Sequence, residues 1–211
     1  MTRSSAAGSE FVFATARYGS GDWDSAPLVP ANVIDSVARY TAIAVAPTGA
    51  VAPLDTPLLL HFPLLYLTGH LPVRFSDAER RNLREFLRRG GLLFVDDHNH
   101  DVDGVFHKSA TEEIARVAGP LRDLPNDHAL YSCFFKFDGP PTTSQELNGW
   151  GDNLVHKHLQ AVMSGGGDRI AVLYSSKDYS SEWDYHPESK RFQSVDNTRF
   201  AVNIVVYALT A

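Results

Sequence analysis

The sequence predicts an α/β fold, a mostly parallel sheet covered by helices on both faces, and three observations carry that expectation. Strand-like stretches alternate with stretches of helical periodicity, the order from which crossover units are built. Leu64-Leu65-Tyr66-Leu67, Leu92-Leu93-Phe94-Val95 and Ile170-Ala171-Val172-Leu173-Tyr174 are continuously apolar where a half-exposed strand would alternate, as strands buried on both faces must be. Each run then stops in polar or glycine residues: Thr68-Gly69-His70, Asp96-Asp97-His98 and Ser175-Ser176-Lys177. Right-handed crossovers place all such carboxyl ends on one edge of the sheet, where open α/β folds bind ligands.

The elements follow in order. Phe11 to Tyr18 is apolar and aromatic enough for a first strand, and Gly19-Ser20-Gly21-Asp22 closes it with turn residues. Val33, Ile34, Val37 and Ala38 line one helical face, with Pro30 suited to the first turn. Ala42 to Val45 reads as a short strand ahead of the proline-containing stretch Pro47 to Pro57, and Leu64 to Leu67 as the next strand. Ser76-Asp77-Ala78-Glu79 is a capping box; Leu83, Phe86 and Leu87 continue its stripe until Gly90-Gly91 ends it. After the strand Leu92 to Val95, a second Ser-x-x-Glu pair at Ser109 and Glu112 opens a helix carrying Ile114 and Val117, stopped by Gly119-Pro120. From 121 to 167 aromatics, prolines and glycines mix, with a short helix expected near Val155 to Met163. Ile170 to Tyr174 is the last strand, and Asn197 to Leu209, apolar nearly all round, is a buried closing helix.

With 211 residues and 23.3 kDa the chain fits one domain over 11–211, behind a disordered or cloning-derived segment 1–10 in which Gly8-Ser9-Glu10-Phe11 reads as a cloning-site remnant. An export signal removed there would make the protein periplasmic or exported; otherwise a cytoplasmic home is expected. A formal charge of −6 leaves no basic footprint for nucleic acid, and no apolar stretch approaches the ~20 residues of a membrane span, so neither nucleic acid nor membrane insertion is expected. The single cysteine, Cys133, excludes an intrachain disulfide and a thiolate zinc site, and reads as a small buried hydrophobe.

Chemistry concentrates in Asp96-Asp97-His98-Asn99-His100-Asp101, directly behind a buried strand. Imidazoles and carboxylates are the ligands of zinc, iron or copper, and three protein ligands with open positions make a catalytic site. His70 ends the neighbouring strand, so His70, Asp97, His98 and His100 are the expected ligands of a divalent transition metal, with Asp96, Asp101 and Asp178 as acid, base or hydrogen-bonding partners. A small-molecule or peptide ligand is expected against Arg17, Asp22, Trp23, Trp150, Trp183 and Arg199: tryptophans beside acidic or glycine residues stack on ligands or pin loops, and arginines clamp carboxylates. Arg199 can equally pair with Asp196. Ser175 and Ser176 lack a Gly-x-Ser-x-Gly elbow, and His156-Lys157-His158 and His186 read as surface residues. A non-catalytic recognition module is the competing class.

Gly21-Asp22-Trp23, Leu67-Thr68-Gly69-His70, the 96–101 run, Leu124-Pro125-Asn126-Asp127-His128, Leu147-Asn148-Gly149-Trp150-Gly151, Ser176-Lys177-Asp178-Tyr179 with Glu182-Trp183, and Asn197-Thr198-Arg199-Phe200-Ala201-Val202-Asn203 together resemble the domain-of-unknown-function family numbered 4159, over about 10 to 210. The resemblance implies a class I glutamine amidotransferase-like fold, a flavodoxin-like doubly wound sheet shared with trehalose-utilisation proteins. Amidotransferases carry a cysteine nucleophile on a tight strand-to-helix turn; here the matching strand end is Asp97-His98-Asn99, so glutamine hydrolysis is not implied.

Overall fold

A computed structural model describes residues 10–165, 167–184 and 195–211. Residues 1–9 and His186 therefore lie outside the described residues. Seven strands form one sheet in the order β2-β1-β3-β4-β7-β6-β5: β1 (Ala14–Arg17), β2 (Ala50–Pro53), β3 (Leu64–Gly69), β4 (Leu92–Asp97), β5 (Arg122–Asp123), β6 (Gln160–Met163) and β7 (Ile170–Ser175). β2, β1, β3, β4 and β7 pair in parallel, whereas β6 is antiparallel to both β7 and β5. The α/β class is as the sequence predicts, with the parallel sheet extended by an antiparallel flank.

Helices cover both faces. α1 (Val29–Tyr40) packs with α5 (Tyr179–Asp184) and α6 (Val195–Thr210) on one side, and α2 (Asp77–Arg88) with α3 (Val105–Val117) on the other. Side chains alternate across a strand, so Leu64, Tyr66, Leu92 and Phe94 join the core under α1 and α6, while Leu65, Leu67, Leu93 and Val95 join the core under α2 and α3. The same alternation continues into the polar end of β4. It sends Asp96 and Asp97 to opposite faces.

The capping box of α2 forms as the sequence predicts, Ser76 accepting from Glu79 N and Glu79 accepting from Ser76 N. Glu79 Oε1 also accepts from Gly19 N at 2.7 Å, which ties the turn after β1 to that helix. α6 is buried along most of its length, from Asn197 to Ala208.

Three expectations need correction. The strand after α1 is Ala50–Pro53, within the proline-containing stretch; Ala42 to Val45 contributes only an isolated bridge, Val45 to Phe11. β2 lies at the sheet edge, where proline costs no ladder hydrogen bond. α3 begins at Val105 behind Gly104, one turn earlier than the Ser109 box suggests; the Ser109 hydroxyl instead bonds back to Val105 O at 2.6 Å and accepts from Val73 N at 2.8 Å. The helix expected near Val155 to Met163 is an irregular segment followed by β6, and a short α4 (Ser144–Asn148) precedes it.

Candidate functional site

β3, β4 and β7 end side by side, with Thr68 paired to Asp96, Gly69 to Asp97, and Asp96 to Ser175. Asp96 and Asp97 are themselves the last residues of β4 and are fully buried. Asp96 turns toward α5, where Oδ2 accepts from Ser180 N and Ser180 Oγ, both at 2.6 Å. Burial pushes its pKa up to about 6 against those hydrogen bonds. Asp97 accepts from Asn99 N at 3.0 Å, and burial pushes it up to about 7, the Asn99 N–H opposing and the charge of Asp96 adding. Asp97 Oδ2 is buried without a hydrogen-bond partner among the described residues.

Asp178, at positive φ of 57°, accepts from Ser181 N at 3.0 Å and lies 3.8 Å from His98 Nε2. Burial first, then the neighbouring Asp96, raises its pKa well above the usual carboxylate range. Asp101 Oδ1 accepts from Asp103 N at 2.9 Å and its carbonyl from Gly104 N at 2.9 Å, so it shapes the entry to α3. Three carboxyl groups from β4 and the β7–α5 turn thus share a desolvated strand edge.

The expected ligand set does not assemble as one group. His70 and His98 stack face to face, ring centroids 4.2 Å apart, with His70 Nδ1 2.8 Å from Asp22 Oδ2 and His98 Nδ1 3.3 Å from Ser25 Oγ. His100, at positive φ of 47°, turns the other way, toward the segment between α4 and β6. Its ring meets Asp152 Oδ1 at 3.2 Å through Nε2, and Asp152 Oδ2 lies 2.8 Å from His156 Nε2. Among the described residues, His100, Asp152 and His156 are the three-residue group whose ligand atoms all lie within 4.8 Å of one another.

Sequence reasoning missed Asp152 and placed His156 on the surface. Their positions are built by buried contacts. Glu146 accepts from Lys177 Nζ at 2.6 and 2.7 Å and from His156 N at 2.7 Å, while Lys177 Nζ also donates to the His156 carbonyl at 2.7 Å. Asp152 N donates to His100 O at 2.8 Å, an approach that requires glycine before it: a Cβ on Gly151 would overlap the His100 carbonyl. The Asp152–His156 spacing of four residues was the one signal available in the sequence.

The donor set fits a cation. His100 Nδ1 lies 2.6 Å from the Ser176 carbonyl, an acceptor that orients the ring. Nε2 then faces two oxygens, Leu154 O at 2.9 Å and Asp152 Oδ1 at 3.2 Å. Nε2 therefore sits among oxygen atoms, the company a cation also keeps. The ligand atoms of His100, Asp152 and His156 lie within 4.8 Å of one another, a spread that one bound ion would draw closer.

The expected ligand-binding residues disperse. Trp183 is buried in the core, donating from Nε1 to Asn197 O at 3.0 Å and stacking on Tyr179, so it is not available to a ligand. Trp150 is 66 % exposed. Trp23 is half-buried and lines an apolar groove of about 400 Å³ with Pro27, Pro30, Pro47 and Val51. Arg17 is exposed at the end of β1. Arg199 lies 3.8 Å from Asp196 and over the ring of Phe135. Asp22 is engaged by His70.

A three-layer α/β protein with an acidic, histidine-bearing strand edge is the class these features define. The chain matches, over residues 12–209, the profile of the family described as "Domain of unknown function (DUF4159)". It belongs to that family. No curated protein matches the chain. No helix among the described residues is long and apolar enough to cross a membrane.

Proposed function

We propose that this chain is a metal-dependent enzyme working at the strand carboxyl edge, with His100, Asp152 and His156 holding a divalent transition metal. The observation that carries the reading is the convergence of His100, Asp152 and His156, whose ligand atoms all lie within 4.8 Å of one another while Ser176 O holds His100 at Nδ1. Two imidazoles and a carboxylate suit zinc, iron or copper. When bound, zinc supplies Lewis-acid chemistry for hydrolysis, and iron supplies oxygen chemistry. The chain's own residues place and protect that centre. Lys177 and Glu146 fix the His156 backbone from both sides, and Ser176 orients His100. Asp97, raised to about 7, is a carboxyl able to hold or release a proton near neutral pH. A groove of about 600 Å³ lined by His156 together with Val155, Lys157, Pro140 and Pro141 gives a small molecule or peptide room next to one of the three ligands.

The same reading takes the fold as flavodoxin-like and amidotransferase-like, since the five parallel strands run in the order β2-β1-β3-β4-β7, the doubly wound 2-1-3-4-5 pattern. Glutaminase chemistry is not proposed: the turn after β4 offers Asp97, His98 and Asn99 in place of a cysteine, and Cys133 is packed against the core with its thiol pushed up to about 11 by burial.

A second reading is favoured by one observation. Leu147, Trp150, Leu154 and Val155, which flank Asp152 in sequence, are all exposed, and large apolar side chains left open to solvent are what a recognition surface uses. Under that reading the protein is a non-catalytic module that binds a ligand or partner. Turnover decides between the two. Metal-stripped protein reloaded with zinc, ferrous iron or copper is assayed against ester and amide panels and for oxygen consumption. Metal-restored turnover that disappears in His156→Ala supports the enzyme. Capture of a partner that survives His156→Ala but not Trp150→Ala, with no turnover for any metal, supports the module.

A further inference from the structure

Asp22 and His70 stand where the strand order reverses. The chain leaves β1 outward to β2 and then crosses to β3 on the other side of β1, so the loops after β1 and β3 part company at their carboxyl ends. Such switch points open the crevice in which doubly wound sheets bind their ligands. Asp22 follows β1 and His70 follows β3, one group from each lip.

The pair is built for a particular protonation state. Asp22 Oδ1 accepts from His70 N and Leu71 N, both at 2.9 Å, and Oδ2 lies 2.8 Å from His70 Nδ1. Burial alone would raise the Asp22 pKa, but the Leu71 N–H and the ring and N–H of His70 outweigh it and lower the pKa, so the carboxylate stays ionised. An ionised carboxylate accepts, hence Nδ1 donates and the lone pair of the neutral ring sits on Nε2. The His70 side chain is 42 % exposed, and Nε2 has no protein hydrogen-bond partner among the described residues. His98 stacks on the ring at 4.2 Å and 28° and fixes its plane. The approach of Asp22 depends on Gly69, where a Cβ would meet Asp22 Oδ1 and the Tyr18 hydroxyl.

We propose that His70 is a proton acceptor for a water or substrate hydroxyl bound in the switch-point crevice, with Asp22 and His98 as positioning residues. The O–H bond breaks toward Nε2, the oxygen keeps the electron pair, and the imidazolium that forms is balanced by the Asp22 charge while Nδ1–H stays in place. The inference does not depend on the metal. Neither Asp22 nor His70 shares a hydrogen bond or ring contact with His100, Asp152 or His156.

Two measurements on metal-free protein test it. Long-range proton–nitrogen spectra of the imidazoles report the tautomer: the proposal expects His70 as Nδ1–H with bare Nε2, and an Nε2–H tautomer overturns it. Carboethoxylation by diethyl pyrocarbonate, followed by peptide mass, reports nucleophilicity: His70 is expected to react faster than the exposed His61. In Asp22→Asn that rate is expected to fall about tenfold or more, the direction in which losing the orienting carboxylate acts in Asp–His pairs. A His70 no faster than His61, or unmoved by Asp22→Asn, overturns the proposal. If Asp22→Asn does not fold, the wild-type tautomer and the His70-to-His61 ratio decide. Repeating both in His100→Ala, where the dyad is expected unchanged, separates this centre from the metal reading.

Discussion

Replacing Glu146 by Gln is predicted to cost about 3 to 5 kcal/mol, the range for removing one partner of a buried ion pair. The side chains of Lys177 and Glu146 are 1 % and 0 % exposed, so the ammonium left behind reaches no water. In the wild type both Glu146 oxygens lie within 2.7 Å of Lys177 Nζ, and they also accept from Thr143 N at 2.9 Å and His156 N at 2.7 Å. Glutamine keeps one acceptor oxygen for these donors and turns an N–H₂ toward one of them. A chain of this length loses about 2 to 4 °C per kcal/mol, which gives a fall of about 6 to 20 °C in Tm. Urea unfolding followed by circular dichroism, with a thermal scan beside it, measures the change. Because the same bonds hold the His156 backbone, metal affinity is expected to weaken in parallel. Adding Lys177→Met to Glu146→Gln removes the stranded charge and is expected to recover part of the loss. A Glu146→Gln protein within about 1 kcal/mol of wild type would refute the reasoning, because that is the scale of a solvent-screened pair.

Other perturbations separate the roles of neighbouring residues. Asp96 has its pKa raised from 3.8 to about 6, so the folded state binds more protons than the unfolded chain across that window; this group's contribution is present at low pH and lost as pH rises through about 6. Asp96→Asn is expected to flatten that part of the profile, read as urea midpoints between pH 4 and pH 8, and an unchanged slope would contradict the assignment. Trp183→Ala is expected to cost about 3 to 5 kcal/mol as a buried aromatic, whereas Trp150→Ala stays within about 0.5 kcal/mol as an exposed one; equal effects in thermal unfolding would overturn the division. Gly69→Ala forces a Cβ toward Asp22 and Tyr18 and is expected to cost about 1 to 3 kcal/mol, with loss of the His70–Asp22 contact in imidazole spectra; a neutral Gly69→Ala would show that the approach is not constrained.

The parallel core was legible because burial on both faces leaves a plain mark, the uninterrupted runs of β3, β4 and β7. β2 was hidden by its proline, which an edge strand tolerates, and β6 by four residues whose pattern suits either helix or strand. The place of Asp96 to Asp101 at the sheet edge was legible too, since polar residues directly behind a buried strand have to emerge there. The directions of their side chains were not. Strand alternation carries Asp96 and Asp97 to opposite faces, and the positive φ of His100 sends its ring away from His70 and His98. Asp152 and His156 lie in a segment without regular structure, set by Gly149, Asn153 and Gly151 at positive φ and by the buried Lys177–Glu146 pair. No periodicity announces such a segment. Its position depends on residues distant in sequence.

Metal content tests the central claim most directly. Protein purified without a histidine tag and assayed by elemental analysis is predicted to carry about one zinc, iron or copper per chain, and to lose it in both His100→Ala and His156→Ala while His70→Ala keeps it. Metal-free wild-type protein whose melting temperature is unmoved by zinc, ferrous iron or copper would contradict the account, as would a bound metal that persists in both variants.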